Sequence, residues 1–158
     1  QRQAYADADN MEAKTEMLIG AYYGVIAITG SGTTAVHALS YPLGGKYHIP
    51  HGVSNAILFA HVMEFNKDAC TDRLALLCDA VYPEKHEEVA NIKADYIIEE
   101  IKDIVKKVHI PTNLEELGVK KEDMDFLVRA GSQQKRLLVN NCKELSLENI
   151  RYLYNKLF

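Results

Sequence analysis

Apolar positions along this chain recur mostly every three to four residues, the spacing of a helix with one buried face. Between residues 11 and 28 they fall at Met17, Leu18, Ala21, Val25 and Ile28, after a polar, acidic opening that suits a helix N-terminus. Gly30-Ser31-Gly32 breaks the pattern. Residues 34–40 form a short apolar helix that Pro42 and Gly44-Gly45 are expected to stop, folding the chain back on itself. Pro50 precedes a further face built from Val53, Ala56, Ile57, Ala60 and Met63, which runs to about Asn66. Residues 71–81 carry Leu74, Leu76, Leu77 and Ala80 and close at Pro83.

The longest amphipathic stretch places Val89, Ile97, Ile101, Ile104 and Val108 on one stripe. Ile and Val favour strands by propensity, but the helical spacing sustained over this length outweighs that preference. One apolar stripe of this kind predicts a helix facing the core rather than a coiled coil. Pro111 ends it, a turn through Leu117-Gly118 follows, and residues 121–130 and 147–157 complete the set, the last capped by Ser146. No stretch alternates convincingly for a sheet. The pattern predicts an all-α multi-helix bundle of six to eight helices, residues 1–158 forming one domain.

Composition leaves that picture intact and removes several functions. With 158 residues and 47 % hydrophobic positions, the chain is long enough for a core of its own. Its 18 Lys+Arg against 22 Asp+Glu, dispersed along the chain, leave no electrostatic footprint for nucleic acid. The longest apolar run, residues 21–29, is about half of the ~20 residues a bilayer span requires, so no membrane role is expected. Cys70, Cys78 and Cys142 make an odd count without a CxxC pair, which predicts small buried thiols in a reducing cytoplasm rather than a disulfide framework.

Chemistry concentrates in one segment. His37, His48, His51 and His61, four of the six histidines, lie within it. Imidazole is the commonest metal-ligand type, and several converging on one point can hold Fe or Zn. His37 lies on a helix and His51 at or beside a helix start, so a reversal between them can bring the two together. His48 and His51 form HxxH, a rival pair. Gly45 would admit a close backbone approach to a ligand, and Gly52 removes a side chain beside His51. His86 and His109 read as surface or loop residues.

The same segment strongly resembles the C-terminal domain of the iron-containing (group III) alcohol dehydrogenases. That family's signature runs Gly-x-x-x-x-His-x-x-x-His-x-x-Gly, then Pro-His-Gly-x-x-Asn-Ala, then a Val-Met-x-Phe/Tyr-Asn ending. Here stand Gly32 to His37, Pro42-Leu43-Gly44, Pro50-His51-Gly52-Val53-Ser54-Asn55-Ala56 and Val62-Met63-Glu64-Phe65-Asn66. The likeness extends, more loosely, to Ile110-Pro111-Thr112-Asn113-Leu114 with Gly118, and to Asn141-Cys142-Lys143 where the family has Asn-Pro-Arg.

The resemblance implies that His37 and His51 are metal ligands, for Fe²⁺ in most members and Zn²⁺ in some. The metal would act as a Lewis acid on a small alcohol or carbonyl substrate, with hydride passing to or from NAD or NADP. Tyr41 stands where many members have histidine, on the face of His37 at i+4, and would point into the substrate and nicotinamide pocket. A phenol there donates a hydrogen bond but does not relay protons near neutrality as imidazole does. His48 would lie at the mouth, His61 would pack within its helix, and Lys46 would meet an anionic substrate group.

The family's N-terminal dinucleotide-binding α/β domain and its DxxxH ligand pair have no counterpart here. Gly30-Ser31-Gly32 lacks the G-x-G-x-x-G pattern. The expectation is therefore the metal- and substrate-binding half of a cytoplasmic oxidoreductase, compatible with a homo-oligomer and inactive as an isolated chain. The alternative is a non-catalytic helical module that packs against a partner chain.

Overall fold

Two apolar cores share one long helix in the computed structural model, which describes residues 2–158. The helices are α1 (Arg2–Ala6), α2 (Met11–Ser31), α3 (Ala35–Tyr47), α4 (His51–Val81), α5 (Ala90–Lys107), α6 (Met124–Ser132), α7 (Lys135–Leu138) and α8 (Leu147–Asn155). No strand occurs among the described residues, so the all-α expectation holds. No helix among them is long and apolar enough to cross a membrane.

The larger core joins α3, the first half of α4, α6 and α8 through Leu39, Leu43, Leu58, Leu127, Leu153 and Tyr154, all fully buried. The Tyr154 hydroxyl donates to the Leu39 carbonyl at 2.7 Å. Helices α3 and α8 meet over Gly131, where an added Cβ would come within 2.8 Å of the Leu39 side chain and 3.4 Å of the Tyr154 hydroxyl. Only a residue without a side chain admits that approach. The smaller core packs Leu74 and Cys78 of α4 against Ala94, Ile97 and Ile98 of α5. Between the cores α4 kinks at Cys70 (φ −137°, ψ 19°), which accounts for the predicted gap between Asn66 and Thr71.

Several predicted features are present in detail. Of the stripe predicted on α5, Ile97 and Ile101 face α4, whereas Val89 stands before the helix as its N-cap and is exposed. Ser146 caps α8 in a reciprocal box with Asn149: the Asn149 backbone N–H donates to Ser146 Oγ, and the Ser146 N–H donates to Asn149 Oδ1. Two features differ. Pro42 does not stop α3, which continues to Tyr47, and the reversal comes instead at His48-Ile49-Pro50, with His48 left-handed at φ 56°. Burial of Leu39, Pro42 and Leu43 against the larger core outweighs the lost backbone bond.

The second difference is α2. Of its 21 residues only Ala13 is buried, while Leu18 is 73 % exposed and Tyr22 65 %. The core-facing stripe predicted for it is left largely uncovered by this chain. Apolar residues occupy every side of the helix between Leu18 and Ile28, a pattern that belongs to a helix buried all round.

Candidate active site

Two chain reversals build the site. Gly32 ends α2 with φ 71°, and a Cβ there would strike Asn140 Nδ2 at 2.7 Å, so glycine is required on both counts. Asn140 Nδ2 donates to the Thr33 carbonyl at 3.1 Å and pins the loop from the far side. α3 then carries His37 in its first turn, and the second reversal, at His48–Pro50, starts α4 directly at His51.

The consequence is that His37 and His51 meet. Their ring centroids are 5.3 Å apart, and the Tyr41 ring lies 6.0 Å from that of His51. His37 is half-buried, Tyr41 and His51 exposed. Burial, reinforced by the neighbouring His51, pushes the His37 imidazole below its ordinary value and keeps it neutral at physiological pH. Asn55, one turn after His51, places its amide nitrogen 2.9 Å from His51 Nε2. This contact ties the His51 ring to its own helix, one turn along. Neutral imidazole, the state that burial favours at His37, is the form that ligates metal.

Beside this pair lies a cleft of about 390 Å³ lined by Ile28, Thr33, Val36, His37, Asn55 and Phe59 among others. Its walls are largely apolar, the polar side chains being those of Thr33, Thr34, His37 and Asn55. Asn55 Oδ1 is buried without a hydrogen-bond partner, a polar atom left for a ligand to satisfy. Among the described residues, no third His, Cys, Asp or Glu joins the pair to complete a metal site. Two imidazoles fit part of a catalytic set, which ordinarily needs three protein ligands or more.

The other histidines and Lys46 take no part. His48 caps α3 on the surface. His61 is half-buried in α4, and burial lowers its affinity for a proton. Lys46 is committed elsewhere: its Nζ bonds Asp123 at 2.6 Å and lies 4.6 Å from the Phe126 ring centre. Gly45 and Gly52 have open space where a Cβ would stand, so neither is held to glycine by a neighbour within this chain. Sequence reasoning missed Asn55 and Phe59 as lining residues; their i+4 and i+8 spacing from His51 was the available signal.

Comparison with known proteins identifies the family of the chain. The family model described as "Fe-containing alcohol dehydrogenase family, C-terminal" matches residues 1–158. Long-chain-alcohol dehydrogenase 1 of Geobacillus thermodenitrificans is 35 % identical over 158 residues, covering 99 % of this chain and 40 % of that protein. Lactaldehyde reductase of Escherichia coli is 30 % identical over 148 residues, 94 % of this chain and 38 % of that protein. The crystal structure of a 1,3-propanediol oxidoreductase superposes with a TM-score of 0.93 at 26 % identity, over 99 % of this chain and 41 % of that one. The chain thus spans about two-fifths of the length of the relatives it matches. It belongs to the Fe-containing alcohol dehydrogenase family, and corresponds throughout to that family's C-terminal part.

Proposed function

We propose that this chain is the metal- and substrate-binding part of an NAD(P)-dependent alcohol dehydrogenase that interconverts a small alcohol and its aldehyde or ketone in the cytoplasm. The observation that carries the reading is the His37–His51 pair, 5.3 Å between ring centres at the rim of an apolar cleft. In this reading His37 and His51 supply two ligands to Fe²⁺, or to Zn²⁺. A metal bound there supplies Lewis acidity, stabilising negative charge on the substrate oxygen. The chain's own residues do the rest: Val36, Phe59 and Ile28 hold the carbon skeleton and exclude water, and the Tyr41 hydroxyl donates a hydrogen bond at the open edge.

The remaining ligands and the nucleotide site belong, in this reading, to a dinucleotide-binding domain outside residues 1–158. Two observations support it: the incomplete ligand set, and the uncovered apolar surface of α2, which reaches the cleft rim at Ile28. The relatives' additional length is sufficient for such a domain.

Metal content and coenzyme-dependent alcohol oxidation, measured on a polypeptide joining this chain to such a domain, test the reading. His37→Ala and His51→Ala should each weaken metal binding by at least about 100-fold, since loss of groups that only orient a ligand already costs 10–100-fold. Tyr41→Phe should retain the metal and change alcohol turnover. Retention of tightly bound metal in the double histidine variant would overturn the ligand assignment. Absence of coenzyme-dependent turnover with metal bound would favour a non-catalytic helical module.

A further inference from the structure

The loop of residues 139–146, whose Asn140 pins the Gly32–Thr33 turn, also closes onto the kink of α4 through a set of specific contacts. Asn66 and Asn141 exchange amide hydrogen bonds, each Nδ2 donating to the other's Oδ1 at 2.9 Å. Lys143 Nζ donates to the Phe65 carbonyl at 3.0 Å, pairs with Asp68 at 2.9 Å and sits 4.4 Å from the Phe65 ring centre. Cys142 stands between Asn141 and Lys143 in the sequence, and its side chain is exposed, contrary to the expectation of buried thiols. Cys70 stands one helical turn beyond Asn66, and its Sγ donates back to the Asn66 carbonyl at 3.3 Å.

The clamps on either side of Cys142 therefore bring it to the face of α4 that carries Cys70. Asn141 and Lys143, which flank Cys142, thus bond α4 at Phe65, Asn66 and Asp68, all within five residues of Cys70, and burial, with Cys142 adding to it, pushes the Cys70 thiol above its ordinary value. The backbone at Cys70 is already out of helical conformation, so it has freedom to adjust that a helix interior lacks. Cys78 is fully buried in the smaller core and free of this arrangement.

We propose that Cys70 and Cys142 are a reversible thiol–disulfide pair, oxidised by a hydroperoxide and reduced by a dithiol, that staples the 139–146 loop to the kink of α4.

Exposed Cys142 reacts first. Its thiolate attacks the terminal peroxide oxygen, the O–O bond breaks, and the electron pair departs on the leaving oxygen, which takes up a proton. Cys142 is left as a sulfenic acid. The Cys70 sulfur then attacks the Cys142 sulfur; the S–S bond forms, the S–O bond breaks, and hydroxide leaves and collects the Cys70 proton as water. With hydrogen peroxide, two thiols and one peroxide give one disulfide and two waters. Two successive exchanges with a dithiol restore both thiols and leave the reductant as its own disulfide.

A disulfide at this position ties the 139–146 loop to α4 at the kink between the two cores. It involves neither histidine of the candidate site and does not require the enzymatic reading to hold.

The test uses the whole 158-residue chain, treated under native conditions with one equivalent of hydrogen peroxide. Expected is a loss of two hydrogens per chain, a peptide pair linking Cys70 to Cys142, and Cys78 alkylated only after unfolding. The oxidised chain should melt higher, by on the order of 5 °C for a closed loop of roughly 70 residues, and dithiothreitol should reverse the shift. Cys70→Ser should instead halt at a Cys142 sulfenic acid that a dimedone probe traps. A Cys142-linked dimer, a link to Cys78, or over-oxidised Cys142 beside a freely alkylated Cys70 in the wild-type chain would each overturn the proposal, and none of these readouts depends on a variant folding.

Discussion

Replacing Tyr154 with Phe removes one oxygen atom from the centre of the larger core. Tyr154 is fully buried, and its hydroxyl donates to the Leu39 carbonyl at 2.7 Å. Leu39 lies between His37 and Tyr41 on α3, so this bond ties the helix carrying the site to α8. The ring remains in Tyr154→Phe and opens no large cavity, which leaves the hydrogen bond as the main loss. A buried bond of this kind contributes about 0.5–1.5 kcal/mol net, and an acceptor left orphaned adds to the loss, so the expected cost is about 1.5 kcal/mol. Tyr154→Ala also loses the ring's packing and should cost about 3–5 kcal/mol. Urea unfolding followed by circular dichroism measures both; the midpoint should fall at constant slope, with a melting temperature ~3–6 °C lower for Tyr154→Phe. A loss below about 0.5 kcal/mol for Tyr154→Phe would refute the reasoning. It would mean that the Leu39 carbonyl exchanges the phenol for another partner at no cost, and that α8 positions α3 by apolar packing alone.

Gly32→Ala should destabilise the chain by more than about 1 kcal/mol, since alanine disfavours φ 71° and its Cβ would displace Asn140; the same variant should weaken metal binding, because this turn places His37. The Tyr82 hydroxyl donates to Glu100 at 2.7 Å, which raises the phenol to about 12 and lowers the carboxylate. Stability from the neutral phenol is complete below its ordinary value of 10.0 and falls as pH rises through about 12. Stability from the carboxylate is complete above 4.5 and falls as pH drops through its lowered value, so Tyr82→Phe should flatten the alkaline limb of a stability–pH curve. Nine large apolar side chains of α2, from Met11 to Ile28, are exposed. The isolated chain should therefore self-associate in sedimentation at micromolar concentration, and Leu18→Glu with Val25→Glu should render it monomeric without lowering its helix content.

Much of this fold is legible in the sequence because its signals are local. The Ser146 cap, the α5 stripe and the break near Cys70 each depend on residues within one or two helical turns. The His37–His51 pair is legible for a different reason, its spacing within a family motif. Pro42 misleads because propensity speaks only of the backbone bond that proline removes. It does not register Leu39 and Leu43, whose burial holds α3 together on both sides of the proline. Lys46 misleads because its partners, Asp123 and Phe126, are distant in sequence and reach it only through the packing of α6 on α3. Cys142 misleads because thiols are buried on average, whereas its place is fixed by the clamps of Asn141 and Lys143 on α4.

The α2 helix misleads in a different way, and it bears on the site. Periodicity identifies the helix correctly from Met11, but suggests a stripe where apolar residues surround the whole axis. A helix of that composition gains its stability from neighbours on several sides, and here α2 contributes one buried residue. Fully burying a single Leu, Ile or Val contributes about 1.5–3 kcal/mol, so the exposed set represents on the order of 10 kcal/mol of association free energy before ordering costs. That sum is comparable with the net stability of a whole domain. The end of this surface, at Ile28, is also a wall of the cleft that holds His37. A partner surface that covers α2 therefore roofs the cleft as it docks, and any carboxylate or imidazole it carries opposite Ile28 arrives beside the His37–His51 pair, which no third such group joins among the described residues. In the proposed enzyme, apolar docking along α2 and completion of the metal site are thus a single event, and a variant that weakens the first should empty the second even with both histidines intact.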